Sequence, residues 1–386
     1  MNRKLRMGMV GGGQGAFIGA VHRAGAAIDG IIELVCGALS STEEKAKASG
    51  RALFLPEDRT YGSYEEMFKA EAALPADQRM DFVSIVTPNN AHFGPTMMAL
   101  EHGFHVMIDK PLAFTLDEAR QIAAKVKETG LLLGVTYTYA AYPMVKQARH
   151  MFQSGVFGKM RKVYVEYPQG WLSSLLEATG NQQAAWRTDP ARNGAAGGIG
   201  DIGTHAANLA EYISGHRISH VCADINITVP GRKLDDDGNL LLRFDNDARG
   251  VLMVSQVAAG DENPLKIRVY GEKGGIEWEQ QEPNTLIVKW LDRPAEIYRA
   301  GGNHGYLSEI ALANCRTPAG HPEGYFSAFA NIYRNFAQTL SKRMAGETPS
   351  EIDLDFPDAE EGVRGLAFID TVLASAKSDQ KWTAHM

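Results

Sequence analysis

The stretch Leu5-Arg6-Met7-Gly8-Met9-Val10 runs into Gly11-Gly12-Gly13-Gln14-Gly15-Ala16-Phe17-Ile18-Gly19, so a short, largely apolar segment ends in five glycines within nine residues. Leu5–Val10 has the length and apolar content of a buried strand, and Val21, Ala24 and Ala27 recur at helical spacing after the glycines. A strand, a glycine turn and a helix in that order suit a bound phosphate: the turn must be tight, the backbone must come close to the anion, and the helix start presents free amides. Gly11-x-Gly13-x-x-Ala16 has the fingerprint spacing for a dinucleotide pyrophosphate, with alanine in the tolerated third place. A glycine-rich surface turn is the plainer alternative.

Working outward, the first ~140 residues alternate apolar runs with amphipathic ones, the pattern of a parallel sheet covered by helices. Leu34–Ala38, Phe82–Val86, His105–Ile108 and Leu131–Val135 are the expected strands. Ser41-x-x-Glu44 has capping-box spacing and predicts a helix from Thr42; Thr115-x-x-Glu118 predicts another, stopped by Gly130. His92–Glu101 is a third expected helix, ended by Gly103. From about Tyr142 the pattern changes. A helix from Pro143 and a strand at Arg161–Tyr167 precede an unassigned loop through Trp171 to Gly194, and a glycine-rich stretch then opens a helix at about Thr204–Ile213. Between Ile218 and Lys289, β-branched runs are separated by turn signals at Asp235-Asp236-Asp237-Gly238, Gly260-Asp261 and Lys273-Gly274-Gly275, which predicts an antiparallel sheet. Helical patterns at Tyr325–Met344 and Pro357–Ala376 close the chain.

The length of 386 residues suggests two domains at ~100–200 residues each. Thirty-nine basic against 46 acidic residues, with no basic run, make nucleic acid an unexpected partner. No apolar run approaches the ~18 residues that span a bilayer. Met1–Leu5 is too short and polar to open a signal peptide. Cys36, Cys222 and Cys315 form neither a disulfide framework nor a thiolate zinc site. No metal and no membrane partner are expected, and a cytoplasmic location fits best.

Three further motifs follow the glycine loop: Thr87-Pro88-Asn89-x-x-His92, then Gly103-Phe104-His105-Val106-Met107-Ile108-Asp109-Lys110-Pro111-Leu112, then Gly197-Gly198-Ile199-Gly200-Asp201-Ile202-Gly203-Thr204-His205. In that order they resemble the glucose-fructose oxidoreductase, inositol dehydrogenase and rhizopine catabolism family over essentially the whole chain. The resemblance implies an α/β protein: an N-terminal Rossmann domain with a parallel sheet at residues 1–140, and at 141–386 an α+β domain with an open, mainly antiparallel sheet for substrate binding and oligomerisation. The last helix, about 357–376, is a candidate to pack back on the first domain. The resemblance further implies that Lys110, matching the lysine of a Glu-Lys-Pro motif, binds the reacting oxygen and helps position a nicotinamide, that His205 relays the proton, and that Asp201 binds substrate and orients the histidine. Asp109 replaces the usual glutamate, Gly15–Gly19 lengthens the loop and places His22 far from Gly11, and Ala140-Ala141 stand where many relatives carry an arginine.

Oxidising a secondary alcohol needs a hydride acceptor, a base, and positive charge where alkoxide develops. Lys110 and His205 have the side chains for the last two, and Asp201, four residues before His205, would share its face of a helix. Gly200 and Gly203 leave room for substrate at that helix start. The expected activity is NAD(P)-dependent hydride transfer at a hydroxyl or keto carbon of a sugar, glycoside or cyclitol. Gly11, Gly13, Gln14, Gly15, Ala16, Thr87, Pro88, Asn89, His92, Asp109 and Lys110 are the cofactor candidates. The C-terminal end of the second strand carries Ser40 and Ser41, with Lys45 beyond, and no carboxylate; Glu33 lies at the other end. This set suits the 2′-phosphate of NADP(H) better than the hydroxyl of NAD(H), which stays possible, and it equally suits a simple helix cap. In glucose-fructose oxidoreductase a serine ends this strand with a lysine five residues on, as Ser40 and Lys45 do here. Trp186 and Arg187, with nearby Asn193, and His321 in the glycine-rich segment 301–324 are softer substrate candidates, beside Lys110, Asp201 and His205. The family further implies a homodimer or homotetramer through the outer face of the sheet. Two rival readings are a non-catalytic NAD(P) sensor and a redox-assisted glycoside-cleaving enzyme.

Overall fold

A computed structural model describes residues 3–386; Met1 and Asn2, at the start of the stretch weighed as a leader, lie outside the described residues. The chain forms two compact units, one of residues up to Thr138 together with Tyr325–Val363, the other of Tyr139–Gly324 with Arg364–Met386.

The first unit runs β1 (Leu5–Gly11), α1 (Phe17–Ala27), β2 (Ile32–Ala38), α2 (Glu43–Ala52), α3 (Tyr64–Ala73), β3 (Phe82–Val86), α4 (Phe93–Glu101), β4 (His105–Ile108), α5 (Leu116–Thr129) and β5 (Leu133–Val135). All strand pairs are parallel, in the order β2-β1-β3-β4-β5. Helices cover such a sheet on both faces, so its strands read as unbroken apolar runs, and Phe82, Val83, Ile85, Val86, Val106, Met107 and Ile108 are buried. Successive strands lie on opposite sides of β1, so the chain leaving β1 and the chain leaving β3 diverge, opening a crevice at the carboxyl edge of the sheet. Thr115 and Glu118 form the reciprocal capping box, and α5 ends at Gly130 in the left-handed region, as the sequence predicts. The Ser41/Glu44 box does not form. Extended Thr42 is the N-cap, the helix starts at Glu43, and the position three residues beyond the cap is Lys45, which cannot accept an amide.

The second unit contains α6 (Pro143–Gln153), β6 (Lys162–Pro168), α7 (Gln182–Arg187), α8 (Pro190–Asn193), α9 (Thr204–Ser214), β7 (Ile218–Asn226), β8 (Asp237–Phe244), β9 (Arg249–Ser255), β10 (Lys266–Tyr270), β11 (Gly274–Glu279), β12 (Thr285–Trp290), β13 (Glu296–Arg299) and α10 (Glu309–Ala313). After these come α11 (Tyr325–Met344), α12 (Ala359–Ala376) and β14 (Thr383–Ala384). The sheet has nine strands in the order β13-β12-β11-β10-β6-β9-β8-β7-β14, antiparallel except for β6 beside β9. Its buried face alternates cleanly, with Leu240, Leu242, Phe244, Ile267, Val269, Leu286 and Val288 turned inward, β10 packing on α9 and β12 on α6. The loop left unassigned in the sequence becomes α7 and α8, capped by the side chains of Asn181 and Asp189. The expected turn at Asp235–Gly238 is corrected: Asp237 and Gly238 already belong to β8, while Asp235 and Asp236 are buried.

The chain end differs from the division at residue 140. Gly25 of α1 lets α11 come close, for a Cβ there would lie 2.9 Å from Cβ of Phe329. Phe336 packs on Phe82 of β3 with ring centroids 5.2 Å apart, and the Tyr333 hydroxyl bonds His22 and Ser84, each at 2.8 Å. This apolar face with one satisfied hydroxyl matches α1 and β3, so 325–363 complete the first unit. In α12 the chain passes into the second unit. There Arg364 pairs with Glu211, and β14 adds to the sheet edge at β7.

Candidate active site

In the first unit the glycine loop sits where the fingerprint places it, between β1 and α1. A Cβ at Gly13 would lie 2.5 Å from the Leu39 carbonyl oxygen and from Ser49 Oγ, so this position holds the loop against the end of β2. The Gly13 amide donates to Leu39 and the Gln14 amide to Ser49 Oγ. Ala16 is the N-cap of α1 and gives no side-chain cap, which leaves the first amides of the helix for an anion, and Gly15 has no protein atom within 4 Å of a built Cβ. The loop therefore fits a dinucleotide pyrophosphate. The close approach of helix to strand falls at Gly19 rather than at Ala16. A Cβ on Gly19 would be 2.4 Å from both the Cα and the carbonyl oxygen of Gly12, a backbone that cannot swing aside. Gly19→Ala is expected to cost about 1–3 kcal/mol through overpacking, lowering Tm by several degrees. Wild-type melting of this variant would remove the constraint.

Ser40 is half-buried and Ser41 and Lys45 are exposed at the carboxyl end of β2. Thr87, Pro88 and Asn89 leave β3 on the other side of the crevice, and the Thr87 hydroxyl donates to the Ala91 carbonyl. His92 is fully buried; Nδ1 lies 2.7 Å from the Pro111 carbonyl oxygen and Nε2 2.9 Å from that of Thr87. Burial pushes its pKa down against the opposing pull of Asp109 and these carbonyls. With both ring nitrogens turned to backbone, His92 ties the loop after β3 to the segment after Lys110.

Asp109 and Lys110 follow β4 at the same carboxyl edge. Asp109 Oδ1 accepts the Lys110 amide at 3.0 Å and the Thr136 hydroxyl at 2.8 Å, and lies 3.6 Å from Nε2 of buried His22. Burial alone would push this carboxyl up; His22, the Lys110 charge and Thr136 outweigh it and hold it well below the usual carboxylate range. The shorter aspartate is therefore an anion spent on the protein's own groups, anchoring the backbone at Lys110. The placing of His22 stands out in the sequence but its partners Asp109 and Tyr333 do not, and Thr136 carries no signal at all, since these contacts join residues far apart in the chain.

In the second unit Asp201 lies in a single π-turn, Ile199–Gly203, immediately before α9, and His205 lies in the first turn of α9. Such turns recur at functional sites. The Asp201 carboxylate accepts Nε2 of Gln256 at 2.9 Å and faces Nε of Arg187 at 3.7 Å. Arg187 stacks over Trp186, with 4.3 Å from its guanidinium carbon to the ring centroid. One of the softer candidates, Arg187, is thus brought to Asp201 with Trp186 stacked against it, together with Gln256, for which the sequence carries no signal. His205 is half-buried and meets the ring of Tyr139 edge-on at 4.8 Å. Added Cβ atoms at Gly200 and Gly203 would make ordinary protein contacts, 3.5 Å or more away. Asn193 is buried and donates to the Ala196 carbonyl. His321 is exposed on a turn, its carbonyl accepting the Thr317 hydroxyl. Buried Glu323 organises that segment by accepting the amides of Arg316 and Thr317. Among the described residues no group of three or more His, Cys, Asp or Glu side chains could hold a metal ion, and no helix is long and apolar enough to cross a membrane.

The profile of the oxidoreductase family with NAD-binding Rossmann fold matches residues 5–137, and that of the GFO/IDH/MocA C-terminal domain matches 145–277. An uncharacterized oxidoreductase, YfiI, of Bacillus subtilis is 32% identical over 99% of this chain and 97% of its own length. The chain belongs to the GFO/IDH/MocA oxidoreductase family. An inositol dehydrogenase homologue from Azotobacter vinelandii, solved with NAD+, superposes with a TM-score of 0.94 at 33% identity, covering 100% of this chain and 98% of that one. Levoglucosan dehydrogenase of Pseudarthrobacter phenanthrenivorans is 26% identical over 76% of this chain and 78% of its own. The chain is thus an oxidoreductase with an NAD-binding Rossmann unit, as the motifs imply.

Proposed function

We propose that this GFO/IDH/MocA oxidoreductase transfers hydride between a nicotinamide cofactor and a hydroxyl or keto carbon of a sugar, glycoside or cyclitol. The observation that carries the reading is that the glycine loop, the Thr87–His92 loop and Asp109-Lys110 all leave one carboxyl edge of the parallel sheet, on strands β1, β3 and β4 that are adjacent around the switch point. When bound, the nicotinamide supplies the hydride acceptor or donor. Gly11, Gly13, Gln14, Gly15 and Ala16 receive the pyrophosphate, and Thr87, Pro88 and Asn89 line the opposite side. Lys110 offers its ammonium to the oxygen that becomes alkoxide, His205 takes or returns the hydroxyl proton, and Asp201, steadied by Gln256 and Arg187, binds a substrate hydroxyl. Trp186 gives an aromatic face to the ring, and His321 is a weaker substrate candidate because its side chain is exposed. Ser40, Ser41 and Lys45 favour the 2′-phosphate of NADP(H), whereas the 33%-identical relative was solved with NAD+. A homodimer or homotetramer through the outer sheet face is the proposed assembly.

The test is a panel of myo-inositol, levoglucosan, D-xylose and D-glucose with each oxidised cofactor, followed by absorbance of the reduced form. Substrate-dependent reduction of the cofactor, with oxidation of at least one compound, is expected, with tighter NADP+ than NAD+ binding in a fluorescence titration. Binding of cofactor with no turnover across such panels would favour a sensor. Glycoside cleavage without net change in reduced cofactor would mark the redox-assisted alternative.

A further inference from the structure

Four consecutive residues, Asp235-Asp236-Asp237-Gly238, look like an exposed acidic turn in the sequence. In the structure Asp235 is buried and spends its carboxylate on the segment that leads into Asp201 and His205. Oδ1 accepts the Gly197 amide at 2.6 Å and Oδ2 the Ile199 amide at 2.7 Å, while the Asp235 carbonyl accepts the Gly198 amide at 2.7 Å. Three successive amides are thus held by one residue. The Gly197 carbonyl in turn accepts the Asp201 amide at 2.9 Å, which closes the turn carrying the carboxylate.

A second observation points the same way. A Cβ at Gly197 would stand 2.1 Å from the Asp235 carbonyl oxygen, so the glycine is needed for this clamp to close. Gly238, just beyond in β8, likewise makes way for Ile199, with 2.9 Å from a built Cβ to Ile199 Cδ1. Burial pushes the Asp235 carboxyl up from the usual carboxylate range, and the Ile199 and Gly197 amides oppose this by favouring the anion. Neighbouring Asp236 is also buried, and while its carbonyl accepts the Gln256 amide at 2.8 Å, its carboxylate, the group changed in the control, faces elsewhere: it accepts the amides of Thr228 and Val229 and pairs with Arg232 at 3.0 Å.

We propose that Asp235 is a positioning residue for the reaction, setting the place of Asp201 and His205 by clamping the amides of 197–199 at the start of their turn. The proposal rests on the roles given above to Asp201 and His205. A neutral amide at 235 must turn its NH2 group toward one of the two amides, so that end of the clamp opens. Misplacement of reacting groups by about 1 Å costs up to ~100-fold in rate.

Asp235→Asn, Gly197→Ala and, as control, Asp236→Asn are compared with the wild-type protein for turnover of the myo-inositol, levoglucosan, D-xylose and D-glucose panel, cofactor affinity, Tm, and hydrogen exchange of the peptide covering 197–205. The expected result for Asp235→Asn and for Gly197→Ala is a kcat lower by about 10- to 100-fold with cofactor Kd unchanged and faster exchange confined to 197–205. Asp236→Asn should lower Tm while leaving kcat and that exchange as in wild type. Equal kcat loss in both aspartate variants would reduce Asp235 to a fold-stabilising residue and overturn the proposal. So would unchanged exchange at 197–205 in Asp235→Asn. Should wild-type protein turn over no panel compound, the functional reading fails by itself, and the exchange comparison still decides whether the clamp exists.

Discussion

Lys110→Ala is expected to lower kcat by about 10²–10³-fold, the loss seen when one preorganised group facing a developing oxyanion is removed. The local backbone should survive the change. Its amide at 110 is fixed by Asp109 Oδ1, and Asp109 is held in turn by Thr136 and by His22 from α1. Truncation therefore deletes the ammonium, with its share of the pull on the Asp109 carboxylate, while His22 and Thr136 still hold that carboxylate, and cofactor Kd should stay within a few-fold of wild type. Lys110→Arg separates charge from shape: a guanidinium keeps the charge but spreads it over a planar fork, so recovery should be small. Steady-state absorbance of reduced cofactor gives kcat, and a fluorescence titration gives Kd. Near-native turnover in Lys110→Ala would take this lysine out of the reaction.

The pieces of the fold that could be read in the sequence are those whose signal is local. The buried parallel strands show as continuous apolar runs, the Thr115/Glu118 box and Gly130 bracket α5, and the glycine loop declares itself by spacing. What was hidden depends on partners far apart in the chain. Helix α3 escapes notice because it buries a charge: Glu71 is satisfied by Arg59 at 2.6 Å and by the Tyr61 hydroxyl at 3.0 Å, so its inner face does not look apolar. Ser41-x-x-Glu44 misleads in the opposite way, having the right residues one position too early for a helix that starts at Glu43. The same contrast divides the proposed site residues. Lys110, Asp201 and His205 stand in short motifs, whereas Gln256, Arg187, His22 and Asp235 act through contacts that only folding creates. Asp235 is the sharpest case, since an acidic run beside glycine is usually a solvated turn. Burial, which the sequence does not show directly, turns it into a clamp.

His205→Ala should have the second large effect, about 10²–10⁴-fold on kcat, because a positioned base contributes on that order. Its pH behaviour distinguishes a proton relay from a packing residue. An imidazole accepts a proton only when neutral, so alcohol oxidation by the wild-type protein should rise with pH as the imidazolium form is lost. Without the imidazole, solvent must take the proton, and the residual rate should lose that step and climb instead toward alkaline pH. The Tyr139 ring meets His205 edge-on at 4.8 Å, and small, buried Ala206 and Ala207 follow it in α9, so truncation leaves a space beside a supported backbone. Added imidazole should then restore part of the turnover, with a concentration dependence set by its neutral form. A packing residue predicts otherwise: a lower Tm, an unaltered pH profile of the remaining activity, and no rescue. Full turnover in His205→Ala across the pH range would mean that another group moves the proton, and Asp201, whose carboxylate is already engaged by Gln256 at 2.9 Å, would be the next residue to remove.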